Sequence, residues 1–427
     1  MLEILKRFVK EELAYITQQD DIQFIYDVNG ELVGEIHMEQ GFISHIDFYD
    51  ADMLAEEGIP FSNSAMINAV LRPNEVTEEV EAAAIPHIAR EMKEALDDRA
   101  LQLDSVIDFD VNYLAIFEEV ELRYGLTIPN TGLQLAIRRD GTLSSATFMR
   151  QPFTIIYPEE MIPKAEARRI LTEEQLVQLS IKPEEWEYAY VPTFDVYGVE
   201  ADGRVKRLGG KARYEALPEV EPIDSLEAFL QGGRPASVPL EEEEDAYYWE
   251  YPEQENLVQS LLEESSFQRA CRTLQGIVGS WYRNYQLEHV EELPAELSIY
   301  LQDTFENSVT YRFVYCHEGV YLPEHAAEIT VHQTTGQMEG VTVPKIPFEK
   351  LMTIQPPIIT LEAANTAAKQ LVDVRLSMER IDMADNLYTS VYLMEYPSSP
   401  TQGEIESIDA YSGEIRFVET GLMKIDE

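Results

Sequence analysis

The chain reads as an α+β protein of repeated helix-on-antiparallel-sheet modules built from hairpins, preceded by an N-terminal helix and β-meander. Two observations predict this. Five alternating apolar/polar runs end in short turns closed by Gly41, Gly141, Gly203, Gly336 and Gly413, and a second alternating run leaves each turn. Alternation at period two marks a strand with one buried face, and glycine supplies the positive φ of a tight hairpin. The second observation is internal repetition. Phe117 to Phe148 contains Gly125-Leu-Thr-Ile-Pro129, and Tyr311 to Val343 contains Gly319-Val-Tyr-Leu-Pro323, each with a turn glycine at nearly the same distance downstream.

The elements follow in order. Leu2, Leu5, Phe8, Val9 and Leu13 share one helical face, which predicts a helix from Leu2 to about Thr17. A three-strand meander comes next: Ile22 to Val28, the Asn29-Gly30 turn, Leu32 to Met38, and Phe42 to Phe48. Helices are expected over Ser64 to Leu71 and from Thr77, where Thr77 is an N-cap and Pro86 breaks the helix unless a new one starts there. Each long copy then begins a helix alike: Ile162-Pro163 leads to Ala167, and Ile359-Thr360 to Ala364. Pro163 suits a first helical position and Thr360 an N-cap. A tyrosine-rich strand follows each helix, Trp186 to Tyr190 and Tyr388 to Tyr396, and then a final hairpin. Between the copies, Tyr214 to Glu255 is rich in Glu and Pro and holds the run Glu241 to Asp245, so it reads as a solvated linker. Its aromatics, Tyr247, Tyr248, Trp249 and Tyr251, are expected to pack on a neighbouring domain. Ser265 and Gln268 have capping-box spacing and open the second copy. The expected division is 1–100, 101–213, a linker at 214–255, and 256–427.

Composition narrows the function classes. With 427 residues the chain exceeds one ordinary domain, and an apolar fraction of 45% is enough to bury real cores. Acids outnumber Lys and Arg by 79 to 32, a formal net charge of −47. That field repels phosphate backbones and anionic lipid, so the partners to expect are basic proteins or peptides, and nucleic acid is not among them. The same charge also serves as a solubility coat. No apolar run reaches the length of a membrane span, and charges interrupt the N-terminus before a signal-like core can form, so a cytoplasmic location is expected. With Cys271 and Cys316 alone there is no disulfide scaffold; free thiols are the default, and one bridge between them stays open. Composition does not address the oligomeric state.

The segment from Pro356 to Glu419 carries a family likeness. Its Ile-Thr-x-x-x-Ala helix start, the strand ending Leu393-Met-Glu-Tyr396, and Ile408-Asp-Ala-Tyr-Ser-Gly413-Glu-Ile415 resemble the PepSY-like modules of the bacterial YcdB/YcdC repeat proteins. The likeness is clearest over 356–419 and extends to 101–210, where Val199-Glu-Ala-Asp-Gly203 replaces the Ile-Asp-Ala motif. The resemblance implies small α+β modules with a helix across an antiparallel sheet. It also implies roles such as those of propeptides that restrain metallopeptidases, or of cell-envelope proteins. Its motifs are structural and transfer no catalytic residue.

Catalytic signatures are missing from the sequence: there is no G-x-S-x-G, P-loop, H-E-x-x-H or dinucleotide-binding pattern. The one cluster to weigh as zinc ligands is Cys316, His317, His325 and His332, with Glu318 and Glu328 among them. Its spacing matches no common zinc pattern, and strand parity puts Cys316 and His317 on opposite faces. No cofactor is expected. The reading is a non-catalytic protein that binds a peptide or protein through a strand edge, peptidase regulation being one form of it. Its rivals are a hydrolase using dispersed carboxylates or the Cys/His cluster, and a structural protein of the cell envelope.

Overall fold

The computed structural model describes residues 1–49, 79–182, 185–193, 195–207, 212–221, 234–235, 246–250, 265–289, 308–333, 336, 338–382 and 385–425. Helices and antiparallel sheets make it an α+β protein. The helices expected over 64–71 and at Thr77, the acidic run 241–245 and Tyr251 lie outside the described residues.

The chain starts with α1 (Leu2–Leu5), β1 (Leu13–Gln19), β2 (Ile22–Asp27), β3 (Leu32–Glu39) and β4 (Phe42–Phe48). The helix expected to reach Thr17 therefore ends at Leu5, and the meander has four strands. Tyr15, Ile16 and Thr17 favour extended backbone, and pairing with β2 stacks Tyr15 on Tyr26, ring centroids 4.9 Å apart. Leu5, Phe8 and Leu13 are buried as the apolar pattern requires, since a short helix and a strand bring them to the same core. Next come α2 (Ile85–Leu96), β5 (Gln102–Asp108), β6 (Asn112–Val120), β7 (Thr127–Arg138) and β8 (Leu143–Phe148). Pro86 stands in the first turn of α2, where its missing N–H costs nothing, and Ile85, Ala89, Met92 and Leu96 are buried. All eight strands form one sheet in the order β1-β2-β3-β4-β8-β7-β6-β5. Because β4 pairs with β8, residues on both sides of position 100 share this sheet.

The chain continues as β9 (Thr154–Ile156), α3 (Lys164–Glu173), β10 (Val177–Lys182), β11 (Glu187–Pro192), β12 (Val196–Glu200) and β13 (Val205–Arg207). Pro163 is the N-cap of α3, one position before the place expected for it. Three strands then arise inside the stretch read as a linker or at its border: β14 (Arg213–Ala216), β15 (Arg234–Pro235) and β16 (Ala246–Glu250). They close a seven-stranded sheet with β17 (Tyr285–His289), β18 (Ser308–His317), β19 (Val320–His332) and β20 (Met338–Pro344), in the order β14-β17-β18-β19-β20-β16-β15. Tyr247, Tyr248 and Trp249 lie on β16, which pairs with β20. The helix α4 (Ser266–Val278) buries Ala270, Cys271 and Leu274 and starts with the expected capping box, Ser265 and Gln268 bonding reciprocally. Cys271 and Cys316 are not joined in a disulfide. After α5 (Phe348–Leu351) come α6 (Leu361–Leu371), capped by Thr360, then β21 (Asp373–Asp382), β22 (Leu387–Glu395), β23 (Ile405–Asp409) and β24 (Ile415–Phe417).

The last eight strands named after α3 and α6 are exchanged between the two halves. One sheet runs β10-β11-β23-β24, and another runs β13-β12-β22-β21 with β9 alongside β22. Each half therefore supplies one hairpin to each sheet. Matching contacts repeat across the exchange. Tyr190 Oη donates to the Ile359 carbonyl at 2.5 Å, and Tyr392 Oη donates to the Ile162 carbonyl at 2.7 Å. Ile162 N–H bonds the Ala201 carbonyl at 3.0 Å, as Ile359 N–H bonds the Ala410 carbonyl at 2.8 Å. One continuous core joins these two sheets to the sheet carrying α4.

Candidate functional site

The site is a cleft of about 590 Å³ between β10 and the β18–β19 hairpin. Alternation builds its first wall. Val177, Leu179 and Ile181 face α6 and the core, while Gln178, Ser180 and Lys182 take the opposite face. This strand lies at the border of its sheet, and the N–H of Thr193 donates to the Leu176 carbonyl at 2.9 Å. Since hydrogen-bonded pairs alternate along an antiparallel ladder, Gln178, Ser180 and Lys182 bond β11, and Leu179 and Ile181 turn their N–H and C=O groups away from it, on the free side of the strand.

The second wall is Glu318 to His325. His317 pairs with Val320 across a two-residue turn in which Glu318 (φ 49°) and Gly319 (φ 88°) are both left-handed. That is the type I′ geometry that matches strand twist, and Gly319 adopts it without strain. Val320 and Leu322 are buried beneath the wall, while Glu318 and Glu324 are exposed. At the rim, Tyr214 stacks on Tyr321 with centroids 3.7 Å apart, and Trp186 meets His325 edge-on at 5.2 Å. Burial and then the charge of Glu288 push the Tyr214 hydroxyl up to about 12, so this ring stays neutral. Lys182 Nζ stands 3.7 Å from Glu406, which also lines the cleft. A smaller cavity of about 430 Å³ adjoins it through Gln175 and Leu361.

The sequence-nominated ligands are dispersed. His317 is buried on the face of Phe313 and Tyr315, and Cys316 stands on the other face opposite Tyr321, as strand parity requires. Burial raises the Cys316 thiol, so it stays protonated at neutral pH. Glu318 and His325 line the cleft, Glu328 faces Arg312 at 3.5 Å, and His332 sits at the far end of β19 opposite Ser308. His325 lies in the irregular stretch between Leu322 and Ala327, whereas His332 pairs with Ser308 at the other end of the ladder. Among the described residues no three His, Cys, Asp or Glu side chains come together as metal ligands. The sequence reading also missed β10 itself, naming only the tyrosine-rich strand after it. Its signal was present in Val177, Leu179 and Ile181 alternating with polar residues.

No family model matches the chain. No curated protein matches it. Among solved structures, the C-terminal domain of YpeB from Bacillus megaterium aligns with 49% of this chain and 94% of its own length, at 14% identity and a TM-score of 0.28. An overlap of that quality places no constraint on what this chain does. No helix among the described residues is long and apolar enough to cross a membrane.

Proposed function

We propose that this chain is a non-catalytic, PepSY-like repeat protein, related in design to the YcdB/YcdC modules, that binds an extended basic segment of a peptide or protein at the edge of β10. Its two long copies, 101–213 and 256–427, serve as the frame that holds the binding cleft between them. The observation that carries this reading is a strand edge charged only at its last residue, opening on an acidic cleft.

Exposed edges are ordinarily blunted by charge or cover. Here β5 is covered by the C-terminal segment, with Asp108 N–H on the Gly421 carbonyl and Met423 N–H on the Val106 carbonyl, both at 2.8 Å. The edge strand β21 carries Asp373, Arg375, Glu379, Arg380 and Asp382. The short strands β13, β14 and β24 each carry at least one charged residue. By contrast, β10 has Lys182 alone, at its end and beside Glu406. The strand β1 is also uncharged, and neither of the two cavities described above is lined by its residues. Main-chain pairing with β10 would supply affinity, and the apolar floor with its acidic rim would select the side chains.

The test is fluorescence anisotropy with labelled peptides of alternating valine and lysine. Saturable binding is expected, weakening from about 50 to about 500 mM salt as the charges are screened. Leu179→Pro removes an N–H on the free side of the strand and none that bonds β11, so it should abolish binding while the fold persists by circular dichroism. Gln178→Lys should weaken binding without touching the backbone. Absence of saturable binding at low salt, or full binding by both variants, would overturn the proposal.

A further inference from the structure

Resting on the binding reading above, we infer that the edge of β10 engages its ligand through one residue, Leu179, and that the side chain of Gln175 stops the pairing on one side of it. Parity along β10 turns the N–H and C=O groups of Val177, Leu179 and Ile181 away from β11. These three residues are not equally open. The Val177 carbonyl accepts from Gln175 Nε2 at 3.0 Å, and Val177 is 1% exposed. Ile181 is 2% exposed, and β10 ends one residue later. Leu179, between them, is partly exposed and lines the cleft. Its N–H and C=O have no hydrogen-bond partner among the described residues.

The backbone around Gln175 is anchored independently of its side chain. The Gln175 carbonyl accepts from the Thr193 hydroxyl at 2.8 Å, and the N–H of Leu176 donates to Asn365 Oδ1 on α6, also at 2.8 Å. From there the Gln175 amide reaches two residues along the chain to Val177. A ligand strand running past Leu179 on that side would have to displace this amide to use the Val177 carbonyl. On the other side the burial of Ile181 closes the edge. A residue seated opposite Leu179 in antiparallel pairing exchanges both main-chain bonds with it. Its side chain then lies on the Leu179 face, toward α6, whose Leu361 also lines the cleft. The ligand is thereby defined as a short extended segment with one apolar residue whose N–H and C=O are free, flanked by the basic residues of the reading above. Two positions to either side of that residue a missing N–H is without consequence, so proline is admitted there.

The experiment uses the capped peptide acetyl-Thr-Lys-Val-Lys-Thr-amide on the full chain, competing with the labelled valine–lysine peptide in fluorescence anisotropy. Replacing one amide by an ester deletes one N–H with little change of shape. The ester at valine should weaken binding about threefold to tenfold, the loss of one net hydrogen bond. Esters at the first or last threonine should leave the affinity unchanged. In Gln175→Ala the Val177 carbonyl is released, so an ester at one of the two threonines should become costly, by about threefold. Which threonine responds reports whether the segment runs antiparallel or parallel to β10. A silent valine ester, or equal losses from all three esters, would overturn the inference and leave edge binding intact. Threonine esters as silent in Gln175→Ala as in the parent would overturn the stop assigned to Gln175. Failure of the all-amide peptide and of the labelled peptide to bind would overturn the binding reading as well.

Discussion

The most demanding single residue in the first sheet is Asp97, whose side chain is fully buried. Arg99 meets it through Nη2 at 2.6 Å and also reaches Glu119 and the carbonyls of Thr131, Gly132 and Met149. Burial on its own would raise the Asp97 carboxyl, but the hydrogen bonds and charge of Arg99 outweigh it and hold the group below the usual carboxylate range. Arg99→Met would strand that charge, with Arg150 left 3.7 Å away as partial compensation. We expect a loss of about 3 kcal/mol at pH 7, read by urea denaturation. The sign with pH follows from linkage. A lowered folded pKa contributes stability above the unfolded value near ~3.9, and that contribution fades as pH falls through the folded pKa. The gap between parent and Arg99→Met should therefore narrow below about pH 4; a constant gap down to pH 3 would contradict the assignment. Glu118 runs the other way. Its burial outweighs the N–H groups of Thr131 and Asn130, so its folded pKa is raised and it favours stability at lower pH.

Among the elements, the two capped helices test local chemistry. Ser265 accepts from Gln268 N–H at 3.2 Å, and Thr360 accepts from Ala363 N–H at 3.2 Å. Replacing either by alanine should cost about 1 kcal/mol in thermal unfolding. The exchange of hairpins offers a sharper probe. At Gly198 an added Cβ would stand 2.4 Å from the Tyr392 carbonyl oxygen, at the seam where β12 meets β22. Gly198→Ala should cost about 2–3 kcal/mol, because backbone must move to accept it. At Gly340 the nearest atoms are 3.6 Å away and belong to Thr330, so Gly340→Ala is the control, with a far smaller change expected. Similar losses at both glycines would argue against a tight seam at Gly198.

At the scale of the whole molecule, the exchange ties distant parts of the chain into one folding unit. Residues near 190 need those near 408, and residues near 198 need those near 393, before either sheet closes. Such pairing leaves no route for one hairpin pair to unfold while its counterpart stays native. Amide hydrogen exchange should show β11, β12, β22 and β23 opening with one common free energy. Independent protection of the two sheets would refute that coupling. The net charge of −47 opposes compaction by self-repulsion, so added salt should raise the melting temperature while weakening capture of basic peptides. Opposite salt responses of stability and binding would distinguish surface repulsion from loss of fold.

What the amino-acid order determined by itself was local. The five turn glycines, 41, 141, 203, 336 and 413, all have positive φ, and Asn29-Gly30 closes its hairpin as its residues demand. The predicted caps at Ser265 and Thr360 form, and the period-two runs became strands, because turn chemistry and alternation act over a few residues. The N-terminal apolar pattern marked the buried residues but not their conformation, since helix and strand can both bury Leu5 and Leu13. Tertiary structure alone decided which hairpins pair. Nothing in Tyr190 or Ile408 announces a partner some two hundred residues away, because backbone hydrogen bonds are indifferent to side-chain identity. The same holds for the cleft. Glu318 and His325 were visible as polar residues near a turn, yet their meeting with β10 depends on how two sheets are set against each other. The metal cluster dissolved for that reason: closeness along a strand places neighbours on opposite faces and sets distant ligands far apart.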